Sequence, residues 1–356
     1  MNKNILISTG GSGGHVVPAT IFYDHLEKNF EVSITSDKRG AYFLNKLKYN
    51  IKIIDTPKLS KNLFLLPFQI PIIIYLIVKS LFFLKRKKID ILISTGGYMS
   101  LPLCIASKIL NIKIFLFEPN MVLGRANRLF LTFCEKIFCY SKEIKNFPNR
   151  LKNKISTIET LLRKEFYYAK PSKDFDNKIN LLIIGGSQGA ELFDTTINEV
   201  LIKLCIKYRL KIFQQTNYKN YKNLKNFYSK NNIQSKLFDF NENISDFMSQ
   251  SNICITRAGA STLAELTFLN VPYVAIPLPF AKGNHQYENA LFYEEKGCNW
   301  ILKQSELNES SLSNKLINII ENKDEYLNKK INMRNFSYQN TWNNINQKII
   351  NIINEN

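Results

Sequence analysis

Twice in this chain a short run of apolar, mostly branched residues breaks into glycine and then gives way to a helical stretch. Asn4 to Ser8 runs into Thr9-Gly10-Gly11-Ser12-Gly13-Gly14, and Ile179 to Ile184 runs into Gly185-Gly186-Ser187-Gln188-Gly189-Ala190. A strand that ends in glycines before a helix begins a parallel sheet wound on both faces, because parallel neighbours need crossovers long enough to hold a helix. Further apolar runs continue each round. In the first half they are Glu31 to Thr35, Ile51 to Ile54, Asp90 to Ser94, Lys113 to Glu118 and Lys136 to Tyr140. In the second they are Lys211 to Gln215, Lys236 to Phe240, Ile253 to Thr256, Tyr273 to Ile276 and Asn299 to Leu302. The expected fold class is therefore α/β, with two successive Rossmann-like doubly wound domains.

A polar stretch with a proline, Tyr167 to Lys178, separates the rounds, and Trp342, Ile345, Ile349 and Ile353 recur at helical spacing near the C-terminal end. The expected division is 1–163, joined by a helix over 337–356, and 164–336. With 45% hydrophobic residues the 356-residue chain has ample material for two cores, which sets disorder aside. The formal charge of +19 suits an anionic partner. Much of it comes from Lys/Asn-rich runs such as 218–223 that read as solvated faces, and no nucleic-acid signature accompanies it. Six cysteines occur without a CxxC pair and mostly within apolar runs, as buried thiols of a reducing compartment would. The first strand begins almost at Met1, without the apolar segment of a signal peptide, so a cytoplasmic protein is expected.

The glycine turns carry the chemistry. Glycines between a strand and a helix let the backbone approach a ligand closely, and the helix-start amides favour an anion such as a diphosphate. Pro18 suits the first turn of that helix. A third such turn is Ser94-Thr95-Gly96-Gly97-Tyr98-Met99-Ser100. Gly11-Ser12-Gly13-Gly14-His15-Val16 lacks the third glycine of the dinucleotide fingerprint, and no Lys-Ser/Thr follows as in a P-loop. Three glycine turns over two domains suggest a cleft that receives more than one phosphate-bearing ligand.

Gly10 to Ala19, Gly96 to Pro102, Glu118-Pro119-Asn120 with Gly124 and Asn127-Arg128, Gly185 to Ala190, and Arg257 to Glu265 together closely resemble the MurG family, from residue 4 to about 300 and in the same order. That family has the GT-B fold, two such domains around an interdomain cleft. Its members are inverting enzymes that move N-acetylglucosamine (GlcNAc) from UDP-GlcNAc to the C4 hydroxyl of lipid-linked N-acetylmuramyl-pentapeptide, a peptidoglycan precursor. The resemblance implies that Ser12, Gly13 and Gly14 touch the donor sugar and that His15 is the general base. A histidine at a helix N-terminus has its cation disfavoured by the dipole, which suits a proton acceptor. A ligand-orienting role for His15, with a carboxylate such as Glu118 as base, is the other reading. It further implies that Ser187 meets the diphosphate, the main chain near Asn241 meets the uracil, and Ala260, Ser261, Thr262, Leu263, Ala264 and Glu265 wrap ribose and phosphates. A carboxylate such as Glu265 accepts from both hydroxyls of a cis-diol. Asn120, Arg163 and Gln286 match donor contacts, Gln286 offering both donor and acceptor. Gly10, Gly11, Gly96, Gly97 and Tyr98 fall to the acceptor diphosphate. His25, within Tyr23-Asp24-His25-Leu26, reads as a surface residue.

The chain departs from the family pattern at Glu159 to Leu162, at Pro119 and at His285, so a UDP-GlcNAc-binding paralogue without turnover is one rival reading. Another GT-B transferase acting on a different lipid is the second. Asp174-Phe175-Asp176 has the letters of a metal-binding DxD, but it lies in the polar linker and reads as solvated; no metal or resident cofactor is expected. Leu63 to Leu84 is apolar and is followed by Lys85-Arg86-Lys87-Lys88. Pro67, Gln69, Pro71 and Lys79 interrupt it, and a span would split the first sheet. An interfacial helix is expected, placing the protein peripherally on the cytoplasmic face of an anionic membrane through Leu63 to Lys88.

Overall fold

The computed structural model describes residues 3–44, 48–56, 66–185, 191–239 and 243–356. The chain divides into two compact units, Met1–Lys164 with Thr341–Asn356, and Glu165–Asn340. In the first unit seven parallel strands are β1 (Asn4–Ser8), β2 (Glu31–Ser36), β3 (Ile51–Ile53), β4 (Ile91–Ser94), β5 (Lys113–Glu118), β6 (Lys136–Cys139) and β7 (Ile155–Thr157), in the order β3-β2-β1-β4-β5-β6-β7. Ile5, Leu6 and Ile7 pair with Val32 to Ile34 on one side and Ile91 to Ile93 on the other. A central strand covered on both faces must be apolar at every position, which is why these runs do not alternate. The helices of this part are α1 (Gly13–Leu26), α2 (Lys38–Ala41), α3 (Leu66–Arg86), α4 (Leu101–Ile109) and α5 (Arg125–Phe130).

The second unit has six parallel strands, β8 (Lys178–Ile184), β9 (Arg209–Gln215), β10 (Gln234–Phe238), β11 (Ile253–Thr256), β12 (Tyr273–Ala275) and β13 (Asn299–Ile301), in the order β10-β9-β8-β11-β12-β13. Its helices are α6 (Glu191–Thr196), α7 (Asn198–Lys207), α8 (Tyr218–Lys230), α9 (Ile244–Gln250), α10 (Ala260–Phe268), α11 (His285–Glu295), α12 (Glu309–Glu321) and α13 (Lys323–Ser337). Both sheets reverse their winding beside the first strand, at β1/β4 and at β8/β11. In doubly wound sheets the crevice at the carboxyl ends of such strands is where ligands bind.

The last helix, α14 (Trp342–Glu355), packs on the first unit, burying Ile345, Ile349 and Ile353 completely. Its Trp342 indole stacks on the His25 ring, centroids 3.7 Å apart. This corrects the surface reading of His25, which is 1% exposed. The local run Tyr23-Asp24-His25 looks polar, but the face that carries His25 is covered by a helix more than 300 residues later in the chain. β7 was not legible as a strand: it has three half-buried residues at a sheet edge, too few for a pattern. Pro18 also lies deeper than expected, at the sixth position of α1, where its missing N–H leaves the Gly14 carbonyl without its helical donor.

The linker to the second unit is not simply solvated. Phe175 is buried against Tyr326, ring centroids 4.8 Å apart. The buried Lys330 ammonium donates to the Ser172 carbonyl at 2.8 Å and to Asp174 Oδ1 at 2.5 Å. Asp174 is therefore half of an ion pair that straps the linker to α13.

α3 carries two apolar faces where a surface helix needs one. Leu76, Ser80 and Leu84 turn inward, and α3 packs along α4. Ile74, Tyr75, Val78 and Phe82 lie on the other side, with Tyr75 63% and Phe82 72% exposed. Among the described residues no helix is long and apolar enough to cross a membrane.

Candidate active site

The β1/β4 reversal brings the first and third glycine turns together. His15 is the third residue of α1, and its Nδ1 lies 2.8 Å from the Thr95 carbonyl oxygen. A carbonyl can only accept, so Nδ1 carries the hydrogen, and in the neutral ring the lone pair is on Nε2. The Thr95 carbonyl is itself held: its N–H donates to Ser8 O at 3.0 Å, and its hydroxyl donates to Thr9 Oγ1 at 2.9 Å. Gly96 and Gly97 follow with φ of +87° and +86°, a conformation that disfavours side chains. A Cβ on either would lie 3.5–3.7 Å from the His15 ring, so this turn forms the wall beside the imidazole. No side chain caps α1, which leaves the Gly13 and Gly14 amides without intrahelical partners at the same corner.

The amide of Gly11 is engaged within the protein. It donates to Asp37 Oδ1 at 2.8 Å, and the same oxygen accepts from Gly40 N at 2.7 Å. Asp37, 1% exposed, stands at the end of β2 and caps α2. Its other oxygen takes the Tyr98 hydroxyl and an Arg39 Nη2, each at 3.4 Å. Gly10 is pressed against this carboxylate, and a Cβ there would meet Asp37 Oδ1 at 2.6 Å. Asp37 was missed in the sequence, although an acidic residue closing β2 is where doubly wound domains often place one.

Glu118, the rival base, is 3% exposed and fully engaged. Oε1 accepts from Asn120 N at 3.3 Å and Asn120 Nδ2 at 3.0 Å, and Oε2 from Gly124 N at 2.6 Å and Asn127 Nδ2 at 3.0 Å. Four donors on one carboxylate organise the loop from β5 to α5 and leave it no lone pair aimed at a substrate. Asn120 is thereby positioned, and Asn127 reaches the back of the Gly96 turn. Arg163 is half-buried near the end of this unit.

In the second unit the β8/β11 reversal places Arg257 and α10 at the crevice. Ser187, with residues 186–190, and Asn241 lie outside the described residues. Gly259 precedes α10 in extended conformation, and no side chain caps the helix, so the amides of Ala260, Ser261 and Thr262 lack intrahelical partners. These three residues are half-exposed, whereas the side chains of Leu263 and Ala264 are packed inside and can meet a ligand only through main chain. Glu265 is 5% exposed on the same helix. Arg257 donates to the Ile276 carbonyl at 3.1 Å and lies over the Phe193 ring; burial lowers its pKa. Gln286 is less free than expected: its Oε1 accepts from Leu278 N at 2.9 Å, so the NH2 group is the part that can serve a hydroxyl. Among the described residues no three His, Cys, Asp or Glu side chains gather as a metal site would require.

Comparison with known proteins agrees with this geometry. The glycosyltransferase family 28 N-terminal domain matches residues 5–139, and the C-terminal domain of that family matches residues 180–344. Over 356 residues, the whole of both chains, the sequence is 60% identical to the UDP-N-acetylglucosamine--N-acetylmuramyl-(pentapeptide) pyrophosphoryl-undecaprenol N-acetylglucosamine transferase of Pelagibacter ubique (strain HTCC1062). It is 33% identical to the enzyme of the same name from Rickettsia bellii (strain RML369-C), over 90% of this chain and 91% of that one. Among solved structures, Acinetobacter baumannii MurG superposes over both whole chains with a TM-score of 0.78 at 23% identity. A UDP-GlcNAc 2-epimerase from Neisseria meningitidis bound to UDP-GlcNAc follows the same fold, with a TM-score of 0.67 at 15% identity over 99% of this chain and 100% of that one.

Proposed function

The chain belongs to glycosyltransferase family 28, and from that premise we propose that it transfers GlcNAc from UDP-GlcNAc to the C4 hydroxyl of undecaprenyl-diphospho-N-acetylmuramyl-pentapeptide. The full-length 60% identity favours this acceptor over another lipid and supports turnover over decay. In the proposed reaction the C4 oxygen attacks C1 of GlcNAc, the bond from C1 to the diphosphate oxygen breaks with inversion, and UDP leaves with its electron pair. The hydroxyl proton passes to Nε2 of His15. The observation that supports this role is the Nδ1–H to Thr95 carbonyl bond, which leaves Nε2 as the nitrogen able to take a proton. Charge developing on UDP is met by the uncapped amides of α10, which need no reorganisation as the bond breaks. On this reading Ser12, Gly13, Gly14, Asn120, Arg163, Ser187, Asn241, Ala260 to Glu265 and Gln286 hold the donor. Gly10, Gly96, Gly97 and Tyr98 border the acceptor diphosphate, Gly11 acting through Asp37.

The proposal includes a site of work at the cytoplasmic face of the membrane. The outward face of α3, with Ile74, Tyr75, Val78 and Phe82, would enter the headgroup boundary while Lys85 to Lys88 meet anionic lipid. The test is transfer of labelled GlcNAc to a short-chain analogue of the lipid-linked acceptor, beside His15→Ala and His15→Gln. Transfer by the parent, lost by about 10²-fold or more in both variants with UDP binding retained, supports the reading. A parent protein that binds UDP-GlcNAc and transfers nothing refutes it.

A further inference from the structure

The engagement of Gly11 with Asp37 sets a carboxylate at the acceptor side of the site. A buried carboxylate stands directly behind the first glycine turn and consumes the amide that would otherwise meet a phosphate. An anion brought to that turn would be repelled unless a cation lies between. Arg39 occupies that place. Its Nη2 is 3.4 Å from Asp37 Oδ2 and 4.0 Å from where a Gly11 Cβ would be. Its guanidinium lies over the Tyr98 ring, 5.5 Å from the centroid, and its side chain is 58% exposed.

We infer that Arg39 is the cationic contact for the diphosphate of the lipid-linked acceptor, an inference that rests on the function proposed above. The guanidinium is a planar fork: one edge serves Asp37, the Tyr98 face keeps the plane in place, and the remaining N–H donors can take phosphate oxygens as a pair. Asp37 and Tyr98 are then positioning residues for Arg39. Lysine at this position would keep the charge but could not hold Asp37 and bind a phosphate bidentately at once.

The probe is farnesyl diphosphate, with farnesol as its neutral counterpart, measured against the full chain by calorimetry in detergent. Arg39→Ala should weaken farnesyl diphosphate binding by about tenfold or more, the loss of a charge-assisted pair. Arg39→Lys should fall between, and farnesol binding should not change. Lys38→Ala removes a neighbouring charge that is 79% exposed and faces Asp55, so it should stay within about twofold of the parent. In the transfer assay Arg39→Ala should raise KM for the acceptor and leave KM for UDP-GlcNAc unchanged. Diphosphate affinity in Arg39→Ala within twofold of the parent overturns the inference, as does equal loss in Lys38→Ala. If transfer to the lipid acceptor fails altogether but diphosphate binding depends on Arg39, the functional reading falls and this subsite stands.

Discussion

His25 ties acid stability to the packing of α14. The ring is 1% exposed beneath Trp342, and neither nitrogen has a hydrogen-bond partner among the described residues. Burial alone pushes its pKa from 6.5 down to about 3. A base whose folded pKa lies below its unfolded value loses stability as pH falls through the unfolded pKa, levelling only at the folded one. Between pH 7.5 and pH 5 the folded ring stays neutral while the unfolded ring gains its proton. The loss is therefore RT ln(1 + 10^1.5), about 2 kcal/mol. At a urea m-value near 2.5 kcal/mol/M, that moves the first unit's midpoint down by about 0.8 M. His25→Phe keeps a flat ring under Trp342 and removes the titration. Trp300 lies in the second unit, so Trp300→Phe in both backgrounds makes Trp342 fluorescence report the first unit alone. The midpoint difference between parent and His25→Phe should change by about 0.8 M across this pH range. A flat difference would show that His25 is not neutral and sealed, and would refute the stack as described.

Glu118→Gln separates a structural carboxylate from a catalytic one. Gln can keep its oxygen on Gly124 N and Asn127, but it gives up the charge and turns an NH2 group toward Asn120 N and Nδ2, a loss of about 2–3 kcal/mol in unfolding; unchanged stability with kcat abolished would restore Glu118 as the base. On α3, Ile74→Glu with Phe82→Glu removes two apolar side chains worth about 1.5–3 kcal/mol each at a membrane surface. Sedimentation with vesicles containing phosphatidylglycerol should fall by about 10²-fold or more, with transfer to a soluble short-chain acceptor retained; equal sedimentation would place the docking face elsewhere.

Much of the architecture was legible because parallel strands buried on both faces write themselves as unbroken apolar runs, as Ile5-Leu6-Ile7 and Ile91-Leu92-Ile93 do. Strand ends moved by one or two residues, since pairing rather than composition decides where a ladder stops. What could not be read was set by distant chain. His25 looked solvated because Trp342 is far from it in sequence, and Gly11 looked open because nothing near it announces Asp37. Glu118 was a plausible base until its four donors were counted, three from the loop after β5 and one from Asn127 on α5, which come together only on folding. Gln286 illustrates the same limit: its side-chain type allowed two roles, and the Leu278 amide takes one.

The return of α14 to the first unit also has a consequence in time. β7 ends at Thr157 and α14 begins at Trp342, so the last strand of the first sheet leaves the ribosome 185 residues ahead of the helix that covers His25. At about 5–20 residues per second that interval lasts roughly 10–40 s. For that long the nascent first unit carries an apolar seam shaped for Ile345, Ile349 and Ile353 with nothing in it. The second unit is synthesised in full while the first waits, and α14 then closes a domain that began with β1.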